Sequence, residues 1–149
     1  MKVVNREFHR NYQTLEEYEA GIALSGGEVK SVKAGHIRLE EAFVRLMDNE
    51  AYLVNAEIPI YIFARPTGYD PRQRRKLLLH KDELLRLQTK LKSASGLTIA
   101  PYSCYNKGRY IKLKIALVKG RRDLEKRKLE KGRDIEREGK REMKEYMKV

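Results

Sequence analysis

The sequence predicts a mainly β protein: a small closed or partly open barrel of about six strands, with two or three helices and a basic C-terminal tail. Three observations carry this reading. Short runs with alternating apolar and polar positions recur between turn signals, one longer segment bears a helical apolar stripe, and the composition changes abruptly at residue 119. With 149 residues the chain has the size of one domain, or of one small domain with an extension. The expected division is a barrel domain over 1–118 and a tail over 119–149.

In chain order, Tyr18-Glu19-Ala20-Gly21-Ile22-Ala23-Leu24 alternates as a strand with one buried face, closed by Gly26-Gly27. The stretch from Glu28 to Ala34 puts Val29, Val32 and Lys33 on one face and stops at Gly35, which suits two helical turns. From Ile37 to Met47 and from Ala51 to Ile58 the chain is rich in strand formers around the polar turn Asp48-Asn49-Glu50, a hairpin. Pro59 and Pro66 bracket Ile60-Tyr61-Ile62-Phe63, an edge segment at best, because proline donates nothing to a ladder. Thr67 to Pro71 is a loop. The segment from Asp82 to Ser95 repeats Leu84, Leu87, Leu91 and Ala94, with Leu85 beside them, as an amphipathic helix ending at Gly96. Leu97 to Tyr105 and Arg109 to Lys119 form a last hairpin around Asn106-Lys107-Gly108. In it Tyr110, Lys112, Lys114 and Ala116 alternate with Ile111, Leu113, Ile115 and Leu117. Such a strand and helix set suits a barrel of the oligonucleotide-binding kind.

The tail holds 13 Lys/Arg and 8 Asp/Glu in 31 residues, too few apolar groups to bury, and no sustained stripe. Gly132 and Gly139 each cost about 1 kcal/mol relative to alanine in a helix. Two readings stand: a segment disordered or loosely helical until it meets a polyanion, or a solvated helix.

The formal net charge of +12 favours a polyanionic partner, whether nucleic acid, anionic membrane or acidic protein. No stretch approaches the roughly 18 apolar residues of a membrane span, and the N-terminus lacks a signal-peptide core, so a cytoplasmic protein is expected. Cys104 has no partner for a disulfide and sits among strand formers as a small apolar group. The three histidines and one cysteine show no metal-ligand spacing, and no cofactor is implied. Gly21 and Gly26 have phosphate-loop spacing, but Gly27-Glu28 follows where Lys-Ser/Thr is needed. The carboxylates are interleaved with cations as ion-paired surface groups rather than acid-base catalysts, so no enzyme is expected; a nuclease is the enzymatic rival.

Candidate binding residues cluster after Pro71, where Arg72, Arg74, Arg75 and Lys76 put four cations within five residues. Pro71 disfavours helical geometry at Asp70, which suggests an extended cationic loop pinned in the core by Leu77 to Leu79 and able to hold a phosphate backbone. A plain solvated loop is the alternative. Tyr102, Tyr105 and Tyr110 gather near one hairpin, either to stack on splayed bases or to pack the barrel. Glu19, at the mouth of a strand, is suited to accept hydrogen bonds from base or ribose groups, or to form a salt bridge.

Four stretches in order carry a family resemblance: Tyr18-Glu19-Ala20-Gly21-Ile22; Gly27-Glu28-Val29-Lys30-Ser31 with Gly35; Asp70-Pro71-Arg72-Gln73-Arg74-Arg75-Lys76-Leu77-Leu78-Leu79-His80-Lys81; and Lys119-Gly120-Arg121-Arg122 ahead of Glu125-Lys126-Arg127. From about Asn5 to Arg137 the chain resembles the SsrA-binding protein family. The resemblance implies a cytoplasmic RNA-binding protein that holds the tRNA-like domain of transfer-messenger RNA (tmRNA, SsrA RNA) and brings it to stalled ribosomes for trans-translation. It implies RNA contacts at Glu19, Leu78 and His80, with Arg72, Arg74, Arg75, Lys76 and Lys81 as phosphate contacts by charge. It also implies a ribosome-side motif at Gly120, Glu125, Lys126 and Arg127, the tail entering the decoding region and messenger channel. Arg38-Leu39, Gly68-Tyr69, Leu124 and Arg121-Arg122 depart from the usual family pattern. A general single-stranded RNA-binding or translation-factor-like barrel is the alternative function.

Overall fold

The computed structural model describes residues 1–63, 67–121 and 126–132. Its elements are β1 (Lys2–Val4), α1 (Phe8–Asn11), β2 (Tyr12–Ile22), α2 (Gly26–Lys33), β3 (Phe43–Met47), β4 (Glu50–Val54), β5 (Arg75–Leu78), α3 (Lys81–Ser93), β6 (Leu97–Lys107) and β7 (Tyr110–Gly120). Strands β6, β3, β4, β5, β2 and β7 pair in that order, and β7 pairs back onto β6, so six strands close a barrel. Every pairing is antiparallel, and β1 adds outside the ring along β6.

Period-two alternation fills this ring. Ile111, Leu113, Ile115 and Leu117 of β7 point into the core with Val44, Leu53, Leu77 and Ile99, while Lys112 and Lys114 point out. Leu87 of α3 and Val32 of α2 are fully buried in the same core. Burying one such side chain contributes about 1.5–3 kcal/mol. Cys104 is buried here too, and desolvation pushes its thiol up to about 12, so it is a packing group.

Local chemistry sets the ends of α2. Ser25 caps it, its Oγ accepting from the Glu28 N–H at 3.3 Å while Glu28 Oε1 accepts from the Ser25 N–H at 3.1 Å. Gly35 follows at φ +83°, a backbone shape that glycine adopts without strain. The helix therefore starts at Gly26, two residues before the expected Glu28. In the β3–β4 hairpin Asp48 and Asn49 take φ 50° and 59°, a two-residue turn of the kind that matches strand twist, and Glu50 already belongs to β4. The last hairpin turns at Gly108-Arg109, so Asn106 and Lys107 extend β6 instead of forming the turn.

Several features lie outside the sequence reading. β2 begins at Tyr12, six residues before Tyr18, and passes a bulge between Thr14 and Glu16. The short β1 and α1 were not expected. Phe8 of α1 packs with Ala100, Ala116 and Val118 into a second small core on the outside of the barrel wall. Ala116, read as outward, is outward-facing yet buried beneath this cover. Asn5 fastens the N-terminus, its Nδ2 donating to the Leu39 and Pro101 carbonyls at 3.3 and 3.0 Å. Residues 60–63 form no strand, and Leu85 is exposed. Among the described residues no helix is long and apolar enough to cross a membrane.

Candidate nucleic-acid interface

The outer face of β5, β2, β7 and β6 carries Glu19, Lys76 and Leu78, together with Tyr105 and Tyr110 of the last hairpin. Glu19 of β2 projects from it opposite Lys114. The Tyr105 hydroxyl and Lys107 Nζ of β6 both donate to its carboxylate, the lysine at 3.0 Å. The hydrogen bond from Tyr105, then that from Lys107, holds the Glu19 carboxyl below its ordinary value. Burial and then the bond to Glu19 push the Tyr105 phenol up to about 12. Glu19 is thus a fixed, ionised acceptor with its side chain still 37% exposed. Lys112 and Lys114 flank it, Lys114 pairing with Glu17 at 3.1 Å. Two residues on, Gly21 faces Leu78 of β5, whose side chain is exposed.

The cationic run after Pro71 does not act as one loop. β5 begins at Arg75, and strand alternation sends its side chains in turn inward and outward. Arg75 and Leu77 point in; Lys76 and Leu78 point out. Arg75 is only 3% exposed. Its Nε donates to Glu28 Oε2 at 2.7 Å, and its other nitrogens donate to the carbonyls of Ala56 and Pro71 and to the Tyr69 hydroxyl. With its donors committed inside, Arg75 is not placed to meet phosphate, contrary to the expectation for this residue. It ties α2, the segment after β4 and the 69–71 loop together. Burial alone would raise the Glu28 carboxyl, but the Ser25 N–H and the Arg75 guanidinium outweigh it and hold the group below its ordinary value.

The remaining cations of the run diverge. Arg72 turns to a hollow with Glu41, Asn55 and Glu57, reaching Glu41 at 3.2 Å and Asn55 Oδ1 at 3.0 Å. Arg74 stacks over the Tyr52 ring, 4.9 Å from its centroid. Lys76 pairs with Glu50 at 2.9 Å on the same outer surface as Leu78. His80 precedes α3, its backbone N–H donating to Glu83 Oε1 at 3.2 Å, with its ring exposed beside the exposed Lys81. The expectation that Leu77, Leu78 and Leu79 all anchor in the core holds for Leu77 and, half-buried, for Leu79, but not for Leu78.

At the tail end, Gly120 closes β7 opposite Tyr12. Arg121 follows, its Nε donating to the His9 and Tyr12 carbonyls. Residues 126–132, including Lys126 and Arg127, are helical, and Arg10 pairs with Glu130 at 2.6 Å. Glu125, Leu124, Arg122 and residues 133–149, most of the tail expected to be disordered or loosely helical, lie outside the described residues. The sequence reading missed Lys107 and the Glu28 partner of Arg75. The lysine face of β7 was legible, but that Glu19 would face it required the long-range β2–β7 pairing.

This arrangement suits binding: a held carboxylate, exposed apolar and aromatic side chains, and lysines arrayed on one barrel face. The family model described as SmpB protein matches residues 2–145. A relative named SsrA-binding protein from Coprothermobacter proteolyticus is 47% identical over 146 residues, 95% of this chain and 97% of its own length. Another of that name, from Persephonella marina, is 45% identical over 140 residues, covering 93% and 91%. A solved structure described as "tmRNA-SmpB: a journey to the center of the bacterial ribosome" matches with a TM-score of 0.67 at 42% identity, over 85% of this chain and 92% of that chain. With its motifs, its closed barrel and these matches agreeing along most of its length, the chain belongs to the SmpB protein family.

Proposed function

We propose that this protein binds the tRNA-like domain of tmRNA through the Glu19 face of the barrel and delivers that RNA to stalled ribosomes for trans-translation. The geometry of Glu19 carries the reading. A carboxylate fixed by Tyr105 and Lys107 among lysines repels phosphate at one point and accepts from a ribose hydroxyl or a base amino group there, while the lysines hold the backbone on either side. Contacts that position and a contact that discriminates then lie side by side. Relatives named SsrA-binding protein and the tmRNA-SmpB structure support the choice of RNA.

Within this reading the protein is a cytoplasmic RNA-binding partner rather than an enzyme. Arg74, Lys76 and Lys81 supply further phosphate contacts, and Leu78 and His80 reach the RNA from the same side. Arg72, half-exposed, contributes less because acidic partners already hold it. The barrel ends with β7 at Gly120, and the basic segment that runs on from Gly120, with Glu125, Lys126 and Arg127, is the part that enters the decoding region and messenger channel.

Titrating labelled tRNA-like tmRNA fragment and a linear RNA of equal length at matched salt tests the binding claim. Tighter binding of the folded fragment is expected, with log affinity falling linearly against log salt as counterions are released. Equal affinities would instead favour a general single-strand-binding barrel. Ending the chain after Arg121 is expected to leave fragment binding within about twofold and to abolish peptide tagging on stalled ribosomes. Loss of fragment binding in that variant would contradict the division between barrel and tail.

A further inference from the structure

We propose that α1 is a seat that aims the basic tail: Arg121 fixes the root of the tail, and Arg10 pins its first helical turns through Glu130. The inference rests on the reading above for what the tail does, and on separate contacts for where it starts. α1 has only four residues, so the carbonyls of its last turn lack partners inside the helix. Arg121, the residue after β7, takes up those of His9 and Asn11 and that of the following Tyr12. Its backbone N–H donates to the Asn11 carbonyl at 2.8 Å, and its Nε donates to those of His9 and Tyr12 at 3.1 and 3.3 Å. A guanidinium at a helix C-terminus both satisfies carbonyls and opposes the negative end of the helix. α1 is itself firmly held. Phe8 is buried against Ala100, Ala116 and Val118, with Tyr12 and Tyr102 packed alongside, and the His9 ring meets Phe8 and Tyr102 edge-on.

The second point of attachment lies nine residues further on. In the helical stretch 126–132, Lys126 and Leu129 are half-buried while Arg127 and Lys128 are exposed. Residues three apart share a helix face, so this face is turned toward the protein and the other toward solvent. Glu130 stands beside Leu129, and its Oε1 meets Arg10 Nε of α1 at 2.6 Å. Both side chains are about half-exposed, which makes the pair a weak one that biases the tail rather than locking it. The bias matters because the first turn of a helix is the costly one, fixing several residues for one hydrogen bond. A tail whose first turns are wound against α1 has met that cost before it reaches a partner. It also leaves the barrel in one direction, which reduces the entropy lost on binding.

In the full-length protein, the Cα chemical shifts of residues 126–132 report the seat, and peptide tagging on stalled ribosomes reports its use. Arg10→Glu and Glu130→Arg each bring like charges together, and glutamate and arginine have similar helix propensity, so neither change disfavours the helix by itself. Each single variant is expected to move the shifts toward coil values. Each should also raise the protein concentration for half-maximal tagging by about threefold, within the range of one exposed ion pair, with the maximal rate and fragment affinity unchanged. The exchanged pair, Arg10→Glu with Glu130→Arg, is expected to restore both readouts. Coil shifts in the wild-type chain, or an exchanged pair no better than the single variants, would overturn the seat. Shifts that follow the charges while tagging stays constant would overturn its aiming role. A wild-type chain that supports no tagging at all would overturn the functional reading, while the shifts would still decide whether α1 holds the tail.

Discussion

Two stretches of this barrel carry charge in different ways. On β6 and β7, Lys107, Lys112 and Lys114 lie with Tyr105 around one carboxylate, all on the outer surface. In the run from Arg72 to Lys76, a denser set of cations is divided among an acidic hollow, a tyrosine ring, a buried carboxylate and a surface glutamate. Charge density along a sequence therefore says little about charge density on a surface. Register and alternation decide which side chains meet, and the more dispersed lysines make the more coherent site.

The sharpest break in that comparison is Arg75. Replacing it by methionine leaves Glu28 buried without its cation, and the expected loss is about 3–5 kcal/mol in urea unfolding. Replacing both, Arg75→Met with Glu28→Leu, is expected to recover most of the loss, since a well-packed apolar pair often equals a buried ion pair. The pair also sets an acid response. Because Glu28 in the fold lies below its ordinary 4.5, its stabilising contribution is present above that pH and is lost as pH falls through the folded value. Wild type should lose stability on acidification below about pH 4.5, and Arg75→Met should show a shallower acid slope, because burial alone favours the protonated acid. A single-variant loss under about 1 kcal/mol would mean that Arg75 is no strut.

The surface cations should act on affinity instead. Lys112→Ala and Lys114→Ala are each expected to lower the salt slope of RNA binding by about one unit, with unfolding unchanged within about 0.5 kcal/mol. Arg72→Ala should move the slope least, because Glu41 and Glu57 already neutralise its guanidinium. If Arg72 moved the slope more than Lys112 or Lys114, the lysine face would lose its claim as the principal phosphate-binding surface.

What the sequence made legible follows from how far each signal reaches. The alternation in β7 fixed which residues face in, from Ile111 to Leu117, because it needs only neighbours two apart. The glycine stop at Gly35 and the stripe of α3 were equally local. The closure of the ring through Val44 opposite Ile99, and the alignment of Glu19 with Lys114, join residues far apart and leave no local mark. β1 and α1 are three and four residues long, too short to show a period, so the covering of Ala116 by Phe8 was hidden. Arg75 was within reach: it stands two residues before Leu77, and a strand with Leu77 inside must turn Arg75 inside as well. Its charge suggested a surface role, and its partner Glu28 looked like an ordinary first-turn acid.

The central claim is that recognition resides on the Glu19 face. Its most direct test is the affinity of Glu19→Gln for the tRNA-like tmRNA fragment, measured beside that of Arg74→Gln in the same buffer. Removing the carboxylate's charge while keeping its shape is expected to cost about tenfold or more, since hydrogen bonds to charged groups contribute about 1.5–3 kcal/mol. The Arg74 change should cost less and should act through the salt slope. Undiminished binding by Glu19→Gln, with a larger loss from Arg74→Gln, would return recognition to the cationic run and contradict the account.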